Sequence, residues 1–337
     1  MSDISISICI PSYNRPEELC RLLKSIDYFE NVEVIIAEDK SPKRNEIKKV
    51  VEDFIEKEKS LDIQYYENKD NLGYDNNLKK LIRVAGNEYI VFMGDDDVFI
   101  PGSLLKLATF LSNNRECFYV LKSHLFISSN GEEERFRYYD GNQYFEKGED
   151  TLIKLFRKSV FISGFIIKRE GLLDLETSEF DGTLLYQIYL LSEVTLSHNC
   201  AYFDEPLTMQ WEEGTPFFGS SENEKDLYTP GTVTVENSIN FLSGFLKIGS
   251  YIDKKYGLNV LPRIKLDMSK YFYPSLAIQR GKGVRVFLKY VKDLNSLGYN
   301  ASIYYYIYTI GLLFLGKSIC DRLIRGLKLV LGKTPQL

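Results

Sequence analysis

Three consecutive aspartates, Asp95-Asp96-Asp97, follow the apolar run Glu88-Tyr89-Ile90-Val91-Phe92-Met93 and a single glycine, Gly94. Carboxylates held side by side at a partly desolvated strand end repel one another, and at least one stays protonated unless a cation neutralises the group. A divalent metal resolves the conflict and can bridge to the phosphate oxygens of a nucleotide. The competing reading is an acidic turn that caps the next helix, expected to begin near Pro101. The chain has only 2 histidines, so a His-rich metal site is excluded. A metal here would be held mainly by carboxylates, which selects hard ions such as Mg²⁺ or Mn²⁺.

Three other polar segments share this character. Pro11-Ser12-Tyr13-Asn14-Arg15-Pro16 and Glu38-Asp39-Lys40-Ser41-Pro42 each end an apolar run. A loop bearing an aromatic ring beside an aspartate can sandwich a base and hydrogen-bond its edge. The first loop lacks the spacing GxGxxG, which argues against a dinucleotide cradle. The segment from Asn68 to Asn77 is a polar turn that opens a helix, and taken singly it reads as a helix cap with Gly73 in the turn.

The elements that position these segments alternate. Ile4 to Ile10 reads as a strand stopped by Pro11, and Val32 to Ala37, Asp62 to Tyr66 and Glu88 to Met93 read as three more. Helices are expected from Pro16, with Glu17 and Glu18 at the positive end of its dipole, from Ile47 to Lys57, and from Asn76 to Val84. Leu19, Leu22, Leu23 and Ile26 fall on one face of the first. This order implies right-handed crossovers and a largely parallel sheet, whose ligands bind outside the carboxyl ends of the strands. Beyond Phe118 the pattern loosens into strands and loops to about Leu207. A polar loop from Glu212 to Gly231 and a mostly helical region rich in Tyr, Lys and Arg follow.

The 337 residues are 44% hydrophobic and 26% charged, too apolar for a disordered chain, and 5 scattered cysteines do not make a disulfide scaffold. Buried thiols in a reducing cytoplasm are expected, and the N-terminus shows no signal-peptide pattern. The net charge of −5 hides a split, because Phe241 to Leu337 holds 16 Lys/Arg against 4 Asp/Glu, a balance of +12 that leaves −17 on the first 240 residues.

Taken as an ordered set, four segments resemble the family 2 glycosyltransferases of the GT-A fold. Ser7-Ile8-Cys9-Ile10-Pro11-Ser12-Tyr13-Asn14-Arg15 is similar to that family's opening strand and P-x-Y-N-R loop. Val34 to Ser41 resembles its second strand, Asn71-Leu72-Gly73 through Asn77 its N-x-G segment, and Glu88 to Asp97 its metal motif. The likeness is good over residues 4–110 and loose over 111–210. The resemblance, with its O-antigen or abequosyltransferase-like variant, implies an α/β fold, a mostly parallel mixed sheet flanked by helices. Residues 1–231 would be the catalytic domain and 232–337 a helical, basic C-terminal region. Pro11, Tyr13 and Arg15 would line the nucleotide pocket, Asp39 would bond the base, and Asp75 and Asn77 would sit near the diphosphate or sugar. Asp96 would hold Mg²⁺ or Mn²⁺ with Asp97 beside it, and Asp95 would lie nearer the donor ribose or sugar. A frame shifted by one residue would use Asp95 and Asp97.

The chain departs from the family in two places. The first aspartate of the metal motif is replaced by Gly94. The Glu-Asp pair that supplies the general base falls on Tyr186-Gln187, neither of which can serve. Asp181 and then Glu179 are the nearest carboxylates, although Asp181 equally suits a helix cap. Glu212 and Glu213 stand in reserve. Trp211 either stacks on a sugar or anchors a loop, and His198 is expected at the surface or in the core. The Glu212–Gly231 loop resembles a flap that orders on donor binding.

Ile303 to Gly316 is apolar and Tyr-rich but too short for a bilayer span of about 18–20 residues. Lys317, Arg322, Arg325, Lys328 and Lys333 follow it. This suits either an interfacial anchor on anionic lipid or a helix packed on the body. Nucleic acid is a poor partner for an acidic body without a binding motif. The expectation is a cytoplasmic enzyme, peripheral on the inner face of the membrane, moving sugar from a nucleotide-sugar donor to a lipid-linked or surface glycan. A silent nucleotide-sugar-binding scaffold and a metal-dependent nucleotidyltransferase are the alternatives.

Overall fold

Strand and helix alternate through the first third of the chain as the apolar spacing predicts. The computed structural model describes residues 3–28, 30–128, 130–211 and 217–331. In chain order the first elements are β1 (Ile6–Ser12), α1 (Pro16–Lys24), β2 (Val32–Glu38), α2 (Arg44–Lys57), β3 (Asp62–Glu67), α3 (Tyr74–Val84), β4 (Tyr89–Phe92), β5 (Val98–Phe99) and α4 (Ser103–Ser112). Pro11 does not stop the first strand. Its neighbour β4 has already ended, Phe92 pairing with Cys9, so the missing N–H of Pro11 leaves no gap on that side. The central portion holds β6 (Cys117–Lys122), β7 (His124–Ile127), β8 (Glu133–Phe136), β9 (Gln143–Phe145), α5 (Glu149–Phe156), β10 (Phe165–Lys168), α6 (Tyr186–Ser197), β11 (Asn199–Phe203) and β12 (Thr208–Trp211).

Among the described residues the larger sheet has the order β3-β2-β1-β4-β10-β6-β11-β9. β1, β2, β3 and β4 run parallel, and β10 lies antiparallel between β4 and β6. A smaller sheet has the order β5-β12-β7-β8. The chain passes from the large sheet to the small one at Gly94–Asp97, between β4 and β5. The aspartate turn therefore sits at the seam of the two sheets.

Both faces of the large sheet are covered, which is why its strands read as almost continuous apolar runs. Alternate residues serve opposite faces. Ile6, Ile8, Ile10, Val34, Ile36 and Val91 join the core under α1, α2 and α4. Cys9, Ile35, Ala37, Ile90 and Phe92 join a second core under α3, α5 and α6. α6 is buried almost throughout. With apolar residues on every side it lacks the one-sided period that betrays a surface helix. Periodicity therefore does not delimit this helix, which is expected only as the helix following Asp181, and α5 is missed.

The remainder is helical: α7 (Val235–Tyr256), α8 (Leu261–Ser269), α9 (Tyr273–Gly281), α10 (Val284–Leu297), α11 (Ile303–Leu315) and α12 (Lys317–Leu331). This layer continues the second core. Phe245 meets Phe156 at 5.7 Å between ring centroids, and Tyr251 meets Phe180 at 5.2 Å and Tyr189 at 5.9 Å, the latter two edge-on. Gly244 lets α7 approach closely, for a Cβ there would lie 2.9 Å from Leu185.

Removing residues 232–337 would uncover Phe156, Phe180, Leu185 and Tyr189. At about 1.5–3 kcal/mol for each large apolar side chain, the loss rivals the roughly 5–15 kcal/mol that holds a whole domain together. A chain ending at Gly231 is expected to aggregate or to melt without cooperativity. A cooperative melt near the full-length Tm would show instead that the two regions fold independently.

Candidate active site

A cavity of about 580 Å³ opens where β1, β2 and β4 end, lined on one side by Pro11, Ser12, Tyr13, Arg15, Asp39 and Asn77 and floored by Gly94 to Asp97. The opposite wall is largely aromatic, with Phe126, Phe161, Trp211, Phe217, Phe218 and Phe241.

The loop after β1 is stitched to the aspartate turn. Tyr13 N–H donates to Asp95 Oδ2 at 2.9 Å, and the Arg15 guanidinium lies 2.9 Å from Asp95 Oδ1 and 3.0 Å from Asp96 Oδ2. Burial pushes Asp95 up to about 6, against the pull of Arg15. Asp96 is half-buried and faces the cavity. Asp97 behaves differently from the expected second ligand. It is 2% exposed, and its Oδ2 accepts from Ser163 Oγ at 2.5 Å, while Gly94 N–H donates to the same Oγ at 2.8 Å. Burial and the Asp96 charge raise its pKa, and the wholly buried Lys122 ammonium opposes them. Asp97 thus braces the turn while it lines the cavity floor beside Asp96.

The turn also accounts for Gly94. A Cβ there would lie 3.0 Å from Asp97 Oδ2 and 3.1 Å from Asp96 Oδ1, so an aspartate at this position would crowd both following carboxylates.

Among the described residues no group of three or more His, Cys, Asp or Glu side chains is arranged to enclose a metal ion. The donor set present fits a different kind of site. Mg²⁺ is commonly held by one or two carboxylates together with substrate phosphates, not by an all-protein cage. Asp95 and Asp96 supply hard oxygens beside a cavity, and a carboxylate pushed up by burial marks a cluster short of positive charge. Asp96, with Asp95 next to it, would hold such an ion, which would supply charge stabilisation at phosphate oxygens.

Asp39 lines the cavity, but most of its hydrogen-bonding capacity is committed to its own chain. Oδ1 accepts from Asn68 Nδ2 at 2.7 Å and Leu72 N–H at 2.8 Å, and Oδ2 from Gly73 N–H at 2.9 Å. One acceptor position on Oδ2 remains for a ligand. Asn77 bonds Asn68 and the Ala37 carbonyl, both at 3.0 Å, and so secures the same loop.

Three expected residues lie elsewhere. Asp75 is outside the cavity lining; it is buried and accepts from the N–H groups of Leu184 at 2.9 Å and Tyr186 at 3.0 Å, setting the start of α6. Asp181 pairs with the buried Lys79 ammonium, and Glu179 is exposed, 3.7 Å from Lys247. Neither lines the cavity. Nor does Asp181 cap α6, whose flanking residue is Leu185. His198 stacks on Phe118 at 3.7 Å, away from the site. Glu212, Glu213 and Gly214 lie outside the described residues.

Trp211 faces the cavity with the Arg21 guanidinium 4.6 Å over its ring. Part of the polar loop packs against the loop after β1 and the start of α3. Phe217 stands 5.9 Å from Tyr13, and Glu224 accepts from Tyr74 N–H at 2.8 Å and Gly219 N–H at 2.9 Å. Gly73, with φ +77°, makes room for this, since a Cβ there would fall 2.7 Å from Glu224 Oε1. Nothing in the sequence around Glu224 marks it out, because the partner that ties it to the site, Tyr74 of α3, lies 150 residues away.

Comparison with known proteins agrees with this geometry. Residues 7–172 match the model of Glycosyl transferase family 2 and form a domain of that family. An abequosyltransferase of Salmonella typhimurium is 28% identical over 222 residues, covering 60% of this chain and 66% of that one. An uncharacterised glycosyltransferase of Methanocaldococcus jannaschii is 25% identical over 175 residues, covering 49% of this chain and 57% of that one. The chain thus spans less than two thirds of either relative. The crystal structure of S. aureus TarS 1-349 in complex with UDP superposes with a TM-score of 0.59 at 12% identity, covering 95% of this chain and 92% of that one. At this identity the likeness shows the fold, GT-A.

Burial pushes Asp75 up to about 7 against its two backbone donors, with Glu224 and Asp181 adding repulsion. The folded chain therefore keeps a proton that the unfolded chain releases above about pH 4. The stability this contributes is complete at low pH and is lost as pH rises through about 7, a swing on the order of 4 kcal/mol. Thermal melts are expected to show Asp75→Asn further below the wild type at pH 5 than at pH 8. A gap that stays constant over this range would show that Asp75 does not titrate there.

Proposed function

We propose that the protein is an inverting, cation-assisted glycosyltransferase that moves a sugar from a nucleotide-sugar donor to a lipid-linked or surface glycan. The observation that carries this reading is the stitching of the Tyr13–Arg15 loop through Asp95 to a turn that offers Asp96 to the cavity. The loop supplies an aromatic face and a guanidinium for a nucleotide, and the turn supplies carboxylates for Mg²⁺ or Mn²⁺ at a diphosphate. Negative charge that develops on the departing nucleoside diphosphate is what such a site stabilises. The S. aureus protein was solved with UDP and with UDP-GlcNAc, and the Salmonella relative is named an abequosyltransferase, which supports a nucleotide-sugar donor.

A second reading, a silent nucleotide-sugar-binding protein, is favoured by one fact. Gln187 occupies the cavity where a general base is expected, and Asp181 is held by Lys79. The two readings separate on turnover. Asp96→Asn is expected to reduce donor hydrolysis or transfer by about 10²–10³, EDTA to abolish it, and Mg²⁺ or Mn²⁺ to restore it. Binding of a nucleotide sugar with no turnover of any donor favours the silent reading.

The reading also places the protein on the cytoplasmic face of a membrane. On α11 the side chains of Ile303, Ile307, Ile310 and Phe314 are exposed, Phe314 by 78%, and Leu323 of α12 joins them. Lys317, Arg322 and Arg325 are exposed beside this apolar face. Among the described residues no helix is long and apolar enough to cross a membrane. An apolar face rimmed by cations suits the interface of anionic lipid. Flotation with vesicles containing phosphatidylserine is expected to recover the wild type, with Ile310→Glu/Phe314→Glu remaining in solution. Equal recovery on neutral phosphatidylcholine would remove the electrostatic part of the reading.

A further inference from the structure

Arg21 of α1 is a half-buried cation without a carboxylate. The nearby carboxylates of Asp95 and Asp96 are both paired with Arg15, and Arg21 makes no ion pair among the described residues. Its Nη2 donates to the backbone carbonyl of Asp96 at 3.5 Å, and its Nε is buried with no hydrogen-bond partner. A charge held half out of water with one N–H unmet is costly unless another contact offsets the loss. That contact is the face of the Trp211 ring, whose centroid lies 4.6 Å from the guanidinium. Trp211 ends β12 and is the single tryptophan of the chain. It lines the cavity with Gln210, its neighbour, and Phe126, which pairs with Gln210 from β7. Arg21 does not line the cavity, so the guanidinium backs the ring and the cavity keeps the side left open. An indole at a strand end can otherwise turn about two side-chain torsions. One guanidinium bonded to the backbone of Asp96 removes that freedom and ties the ring to the turn.

We infer that Arg21 is a positioning residue: it holds the Trp211 ring at a set distance from the aspartate turn, and the open face of that ring carries the acceptor sugar. This rests on the glycosyltransferase reading given above. Tyr13, Arg15 and Asp39 follow strand ends of the large sheet, whereas Phe126, Gln210 and Trp211 stand at strand ends of the small one. The aspartate turn is the seam between them. A nucleotide on the large-sheet side with its diphosphate at Asp96 points its sugar end toward the small sheet, where an acceptor must meet it. The attacking hydroxyl has to stand about 3–3.5 Å from the anomeric carbon, and a misplacement of about 1 Å costs on the order of 100-fold. A pyranose presents a face of C–H groups, which suits the negative face of an aromatic ring. Its hydroxyls project from the edge, where the Gln210 amide has no hydrogen-bond partner among the described residues. Because the guanidinium bonds the backbone of the residue that would hold the cation, the donor and acceptor ends of the site share one fixed point.

The test uses the full-length chain with Mg²⁺ or Mn²⁺ and a donor that it turns over, found by release of nucleoside diphosphate from UDP, GDP, dTDP and CDP sugars. Release is measured in water alone and with millimolar p-nitrophenyl hexosides as probe acceptors. The wild type is expected to release faster with at least one hexoside. In Trp211→Ala that acceleration is expected to fall at least about 10-fold further than hydrolysis in water does. Equal losses in the two reactions overturn the acceptor platform and leave the glycosyltransferase reading intact. So does a wild type in which no hexoside changes either the release or the emission of Trp211. If no donor in the panel is turned over, that reading fails and the inference falls with it. Positioning by Arg21 has its own measurement, because the chain has a single tryptophan to report on the ring. Arg21→Met keeps the stem and removes the cation. It is expected to shift the emission, to make it easier to quench with acrylamide, and to lower the acceleration by hexoside at least about 10-fold. Arg21→Lys, which keeps a charge over the ring, is expected to recover part of both. Unchanged emission in Arg21→Met, or an Arg21→Lys variant no better than it, overturns the positioning role. Should Arg21→Met fail to fold, Arg21→Gln replaces it and is read on the same quantities.

Discussion

Three like charges held at the end of one buried strand are the condition that the surrounding structure meets. β4 delivers Asp95, Asp96 and Asp97 to a place where water cannot screen them all, and each is answered differently. Asp95 is answered by Arg15 and a backbone N–H from the loop after β1. Asp97 is answered by Ser163, beside β10, and by Lys122 at the end of β6. Asp96 shares Arg15 and keeps a face toward the cavity. The sheet order β1-β4-β10-β6 brings those three compensating groups to the same strand end. An antiparallel strand between β4 and β6 therefore has an electrostatic role besides its pairing.

The parts of this arrangement that were legible in the sequence are those governed by local rules. Alternation of apolar residues located the first four strands, and the polar segments at their ends located the cavity mouth. Pro11, Tyr13, Arg15, Asp39, Asp95 and Asp96 lie where strands end, and the family resemblance named them, with Asn77 of α3, as site residues. What a given carboxylate bonds to was not readable. Asp75 looks in sequence like a ligand contact, yet it spends its oxygens on backbone N–H groups of its own chain, and Asp39 divides its oxygens between its own loop and the cavity. Gln187 and Glu224 sit in stretches with no distinctive pattern, and their meaning comes from partners brought together by tertiary folding. The bounds of α6 were not readable for a related reason, since a helix buried on all sides carries no period.

The C-terminal helices changed most between sequence and structure. Composition sets them apart by charge, whereas packing joins them to the sheet through a common core. Both descriptions hold, because they concern opposite faces of the layer. The inner face carries Phe245, Ile248, Ile252 and Leu276 into the core, and the outer face carries Ile303, Ile310 and Phe314 together with the cations. A net charge balance taken over the whole region averages the two.

The 22 residues of α7 span about 33 Å as one continuous rod. Near its beginning Phe241 forms part of the cavity wall, and along its flank it packs with α6, α8 and α10. A rigid rod cannot shift at its flank and stay still at its tip. The cavity wall at Phe241 and the packing of α6, α8 and α10 are therefore carried by one helix.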